Sequence, residues 1–118
     1  MRSFFAILTA GLLFAAPSQA EAQASSFTLV NKTNIDFSGL MARRYGTQDW
    51  KPLAVSPVPV TASGGRGAVQ FSHEDCAFDL QAKLPDGQLV VWRAVNLCDA
   101  KIVTLNRTAS GELWVDYR

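Results

Sequence analysis

Any chemistry in this chain would have to begin at two cysteines, one histidine and the acidic residues beside them. His73-Glu74-Asp75-Cys76 places four ligand-type side chains in a row, and Cys98 is the second of only two cysteines. Zinc needs three or four nitrogen or sulfur ligands spaced so that they can converge, whereas these four are consecutive and contain the only imidazole. Calcium needs a loop with oxygen ligands at set intervals, which Glu74 and Asp75 do not provide. No metal site and no cofactor are expected. A serine or cysteine nucleophile would have to use His73 as its base, and no Gly-x-Ser-x-Gly elbow presents a serine. Nothing singles out a carboxylate pair for glycoside chemistry. Ser63-Gly64-Gly65-Arg66-Gly67 has the glycines of an anion cradle. That cradle requires a following helix N-terminus, and Ala68-Val69-Gln70-Phe71 reads as strand instead. The segment is expected to be a flexible connection, His73 to Cys76 a solvated turn, and the protein to have no catalytic residue.

The compartment decides how the cysteines are read. Met1-Arg2-Ser3 is a short positive start, Phe4 to Ala16 is an unbroken apolar run, and Pro17-Ser18-Gln19-Ala20 ends in small residues. This is the pattern of a secretory signal peptide, and the run is shorter than the roughly 20 residues a spanning helix needs. Residues 1–20 are therefore expected to be cleaved, with cleavage after Ala24 as the alternative. No cysteine lies beside the cleavage site for lipid attachment, and no twin arginine precedes it. The remainder, 21–118, is expected to be a single domain in the periplasm or outside the cell, with no integral membrane segment. In an oxidising compartment the default for Cys76 and Cys98 is a disulfide, which over such a loop is worth on the order of 3 kcal/mol. A redox role would want a Cys-x-x-Cys spacing, and there is none.

Loss of Arg2 leaves 10 basic against 10 acidic side chains, from 11 and 10 in the whole chain. That balance offers no footprint for nucleic acid or an anionic membrane. Strand patterns dominate. Ser26 to Val30 alternates, Asn31 to Asn34 are turn formers, and Ile35 to Tyr45 is expected to pair with the first strand. Gly39 within it suggests a bulge or a close backbone approach. Prolines 52, 57 and 59 and glycines 64, 65 and 67 argue for edge strand or mobile loop. From Ala68 onward short strands follow one another, and no helical stripe appears. About seven short strands with frequent turns predict an all-β fold, a small antiparallel β-sandwich or partly open barrel.

Leu84-Pro85-Asp86-Gly87 fits a type I turn with a following glycine at positive φ, so Cys76 to Cys98 is a hairpin. A short register sets Leu84 opposite Gln88, Asp79 opposite Arg93 and Cys76 opposite Asn96. A longer loop would set Cys76 opposite Cys98. Either way the two cysteines share a face with Phe78, Leu80, Ala82, Leu84, Val90, Trp92 and Ala94.

The candidates for binding are Arg43, Arg44, Tyr45 and Trp50, which flank one turn and combine arginine with aromatic rings as interface centres do. Trp114 and Tyr117 fall on opposite faces of the last strand, and burial is the competing expectation for both Trp50 and Trp114. The expected partner is an envelope protein or a cell-wall polysaccharide. An inhibitor that plugs an enzyme with Ser63 to Gly67 is the competing reading. Asn31-Lys32-Thr33 and Asn106-Arg107-Thr108 match the glycosylation pattern, a pattern common by chance.

The mature chain also resembles a group of small exported bacterial proteins of unknown function. The likeness runs from "FTLVNKTNIDFSGLMAR" through Asp49-Trp50 to "CAFDLQAKLPDGQLVVWRAVNLC". It rests on Asn31, Thr33, Trp50, Cys76, Asp79, Leu80, Asp86, Gly87, Asn96, Leu97 and Cys98. Leu40 to Arg44 and the final hairpin after Leu105 depart from the shared pattern. The resemblance implies a periplasmic β-rich domain and supplies no catalytic residue.

Overall fold

Alternating apolar and polar residues hold the chain extended, because each strand buries one side and wets the other. The computed structural model describes residues 23–118; the expected signal peptide lies outside the described residues. The strands are β1 Ala24–Lys32, β2 Leu40–Arg44, β3 Lys51–Pro52, β4 Ala54–Ser56, β5 Gly65–His73, β6 Ala77–Lys83, β7 Leu89–Asn96, β8 Ile102–Arg107 and β9 Leu113–Tyr117. They form one sheet in the order β4-β5-β1-β8-β9 and a second in the order β3-β2-β6-β7. The two sheets share one core and do not close into a barrel. The described residues hold nine strands where about seven were expected. The additional short pieces, β3 and β4, come from the proline-rich stretch, and both lie at sheet edges as proline's missing N–H favours.

Two connections differ from the sequence reading. β1 and β2 do not pair; they belong to different sheets. Asn31 is the reason. Its buried amide donates to the carbonyls of Ile35 (2.7 Å) and Val60 (2.9 Å). Its Oδ1 accepts from the Thr33 backbone N–H and hydroxyl at 3.1 and 2.6 Å. These bonds form a corner that sends the chain across the sandwich, and a bridge between Phe37 and Val60 secures the crossing. Both Asn31 and Thr33 are fully buried, so the Asn-x-Thr here is architecture, not a glycan acceptor. Gly39 has open space around the position of a Cβ and marks neither a bulge nor a close approach. The second difference is that β1 and β8 pair in parallel, Leu29 opposite Val103, joined through the whole intervening sequence as a parallel pair must be.

The β6–β7 hairpin begins in the shorter register expected, with Ala82 opposite Val90 and Leu80 opposite Trp92. Gly87 takes φ of 89° and its N–H donates to the Leu84 carbonyl at 2.9 Å. A bulge then intervenes. Ala94 adopts φ of 52°, and its N–H donates to Asp79 Oδ1 at 2.9 Å. The extra residue swaps the faces beyond it, so Ala94 is exposed while Val95 and Leu97 are buried. Cys76 therefore faces Leu97, whose N–H it receives at 2.9 Å, midway between the two expected partners. The Cys76–Cys98 disulfide is formed, with Cα atoms 5.0 Å apart. Asp79 does not meet Arg93; it turns to Arg43.

The core joins Leu29, Val69, Val103 and Leu105 from the larger sheet to Leu80, Ala82, Trp92 and Val95 from the smaller. Trp92 packs edge-on against Phe37 at 5.9 Å, and its indole N–H donates across the sandwich to the Asn106 carbonyl at 3.0 Å.

Candidate functional site

The sandwich is open beside β3 and β4, where β5 and β2 run out towards their C-termini. Alternation along β5 turns Val69, Phe71 and His73 inward, and the core narrows to partly buried Phe71 beyond fully buried Val69. Across from them stand Phe78 at the start of β6 and Arg44 at the end of β2. The result is a cleft of about 530 Å³ between the sheets. Its floor is aromatic: Phe71 and Phe78 meet edge to face at 5.0 Å, and His73 packs edge-on against Phe78 at 5.1 Å. Arg44, Asp49 and Lys51 supply charge at its walls, and Arg43 borders it.

The two adjacent arginines have unlike roles because successive residues of a strand point to opposite faces. Arg43 lies on the outer face of β2. Its Nε donates to Asp79 Oδ2 at 2.8 Å, with side chains only 16% and 3% exposed, and its guanidinium carbon sits 4.4 Å from the centre of the Trp50 ring. Asp79 thus joins β2, β6 and the β7 bulge through one carboxylate. Arg44, on the inner face, reaches Asp75 at 3.1 Å with side chains 56% and 39% exposed, so it remains available to an incoming group. Lys51 and Asp49 form a similarly wet pair at 3.5 Å.

His73 is held by the turn that follows it. The Asp75 backbone N–H donates to His73 Nδ1 at 2.9 Å, which orients the ring with Nε2 directed away from the turn. The Asp75 carboxylate, 3.7 Å from the same nitrogen, is then not a hydrogen-bond partner. Among the described residues no group of three His, Cys, Asp or Glu side chains is placed to hold a metal ion, and no helix is long and apolar enough to cross a membrane.

Of the four residues singled out by composition, Arg43 and Arg44 line the cleft. Tyr45 is exposed beside it and Trp50 lies half-buried against Arg43. The sequence reading missed Leu53, Phe71 and Phe78. Period-two alternation could have found the last two, since Phe71 shares a face with Val69 and Phe78 with Leu80. Ser63 to Gly67 is not a protruding loop. The Gly64 N–H donates to the Asn31 carbonyl at 2.8 Å, and Gly65 and Gly67 pair with Asn31 and Leu29 inside the larger sheet.

No known family model and no curated protein matches the chain. Among solved structures, the NMR structure of a protein from Eubacterium rectale is similar, covering 84% of this chain and 91% of its own. Its TM-score is 0.46 at 13% sequence identity, a likeness from which no function is carried over.

Proposed function

We propose that this is an exported, non-catalytic binding domain that holds an envelope protein in the cleft beside β3 and β4. The observation that carries the reading is the cleft itself: an aromatic floor of Phe71 and Phe78 beneath solvent-exposed Arg44 and Lys51. Apolar anchors beneath charged groups that stay wet are the composition of a contact centre with a polar rim. A protein partner is favoured over a polysaccharide because the phenyl rings of the cleft, Phe71 and Phe78, meet edge to face and present no flat stacking platform. An apolar side chain flanked by carboxylates would fill the floor and meet Arg44 and Lys51.

The test is affinity capture from the envelope of the producing cell, with mature protein whose disulfide is verified by intact mass. One stoichiometric protein partner is expected, lost from Arg44→Ala/Lys51→Ala. Arg43 is left intact because it supports the fold. A partner retained in full by that variant would overturn the cleft assignment. Retention only on peptidoglycan or polysaccharide would replace the protein partner with a carbohydrate and make exposed Trp114 the next substitution.

A further inference from the structure

The second feature that points to a partner is on the opposite side of the sandwich, at the free edge of β9. A sheet edge presents unpaired N–H and C=O groups, and proteins protect such edges with short strands, proline or bulges. Three of the four edges here are protected in these ways. β3 is two residues long and contains Pro52; β4 is three residues long and runs into Pro57. β7 is broken by the Ala94 bulge, and its Asn96 N–H is already taken by the Tyr117 hydroxyl at 3.0 Å. β9 has neither proline nor bulge across its five residues.

Its register states which groups face outward. Arg118 and Ile102 exchange both hydrogen bonds, at 3.0 and 2.9 Å, and the Thr108 N–H donates to the Glu112 carbonyl at 2.9 Å. In an antiparallel ladder the bonded pairs alternate, so Leu113, Val115 and Tyr117 direct their N–H and C=O away from β8. Their side chains lie on the inner face, where Leu113 and Val115 are only partly buried against the core. The outer face carries Glu112, Trp114, Asp116 and Arg118.

We propose that β9 pairs antiparallel with β9 of a second copy of this chain, about a twofold axis through Val115, fusing the two larger sheets into one. The strand is self-complementary in that register. Leu113 falls opposite Tyr117 of the second copy and Val115 opposite Val115, so the inner row is apolar throughout. On the outer row Glu112 falls opposite Arg118, which places opposite charges face to face at both ends. Trp114, 46% exposed, falls opposite Asp116. Every outward donor of one strand meets an outward acceptor of the other, as an isologous interface requires. This pairing is independent of the cleft.

Sedimentation equilibrium on the mature, disulfide-bonded protein is the measurement. A concentration-dependent dimer is expected. Val115→Pro removes a donor that β8 does not use, and should give a monomer with an unchanged circular dichroism spectrum. Arg118→Glu places like charges opposite each other twice per dimer and should raise the dimer dissociation constant roughly tenfold. Adding Glu112→Arg to it should restore the original value. If Val115→Pro fails to fold, the charge-exchange pair decides alone. A chain that stays monomeric up to millimolar concentration, or a dimer indifferent to Arg118→Glu, would overturn the proposal.

Discussion

Asp79 offers the sharpest check on the structural reasoning, because one carboxylate serves two donors from two other strands. It accepts Arg43 Nε at 2.8 Å and the Ala94 backbone N–H at 2.9 Å, and its side chain is 3% exposed. Asp79→Asn keeps the shape but supplies one acceptor and one NH2 group, so one of the two donors is left facing another donor. Removal of a buried partner from a charged, hydrogen-bonded pair costs about 2–4 kcal/mol. For a domain of this size each kcal/mol moves the melting temperature by roughly 4–8 °C, so Tm should fall by at least about 8 °C. The neighbouring pair is the control. Asp75→Asn breaks the bond to Arg44, whose partners are 56% and 39% exposed, and should cost less than about 0.5 kcal/mol. Thermal and urea melts followed by tryptophan fluorescence measure both, and a double-mutant cycle with Arg43→Ala isolates the pair. The assignment of Arg43 to architecture and Arg44 to the surface fails if the two substitutions cost the same, or if Asp79→Asn melts within about 2 °C of the parent.

Replacing both cysteines, Cys76→Ala/Cys98→Ala, opens a loop with a sequence separation of 22 and should lower stability by about 3 kcal/mol, read from urea unfolding. A loss under about 1 kcal/mol would mean that the rest of the hairpin already restrains the unfolded chain. Asn31→Ala removes a buried amide that satisfies Ile35, Val60 and Thr33, and should cost at least about 2 kcal/mol by the same melts; expression in a glycosylating host should leave Asn31 unmodified. Gly65→Ala brings a Cβ to 2.6 Å from the backbone N and O of Thr61 and should destabilise by about 1–3 kcal/mol. Gly39→Ala, with open space around it, should stay within about 0.5 kcal/mol of the parent. Equal effects at the two glycines would contradict the packing described.

What the sequence made legible is mostly local. Pro85-Asp86-Gly87 specified the hairpin and its starting register, since turn chemistry acts within four residues. The paired cysteines and the edge placement of the proline stretch followed from equally general rules. The bulge at Ala94 was not legible. Alanine has no preference for positive φ, and what holds it there is Asp79, fifteen positions away on another strand. The parallel pairing of β1 with β8 was hidden for a similar reason, because no short-range signal records a partner that far along the chain. Asn31-Lys32-Thr33 read as turn formers, which is correct about the residue types and silent about the direction of the turn. Arginine and aromatic composition drew attention to the bend after β2, and Arg43 and Arg44 of that bend line the cleft. Its floor comes from Phe71 and Phe78, and alternation could have named them only once the sheets were known to part there.

The disulfide and the cleft are mechanically connected. Asp75 lies between them. Its carbonyl approaches Cys98 Sγ at 3.8 Å, its N–H orients His73, and its carboxylate holds Arg44. Two residues further on, the Ala77 carbonyl accepts the Tyr45 N–H at 3.0 Å, fixing the bend that begins at the end of β2. Bridging Cys76 to Cys98 therefore anchors the turn between His73 and Phe78, two residues that line the cleft. It follows that reduction should loosen the cleft before it unfolds the sandwich. Hydrogen exchange should show this as faster exchange at Tyr45 and Asp75 in the reduced protein, while Leu29 and Val103 stay protected. Uniform loss of protection across all four would mean that the staple serves the whole fold and not this turn.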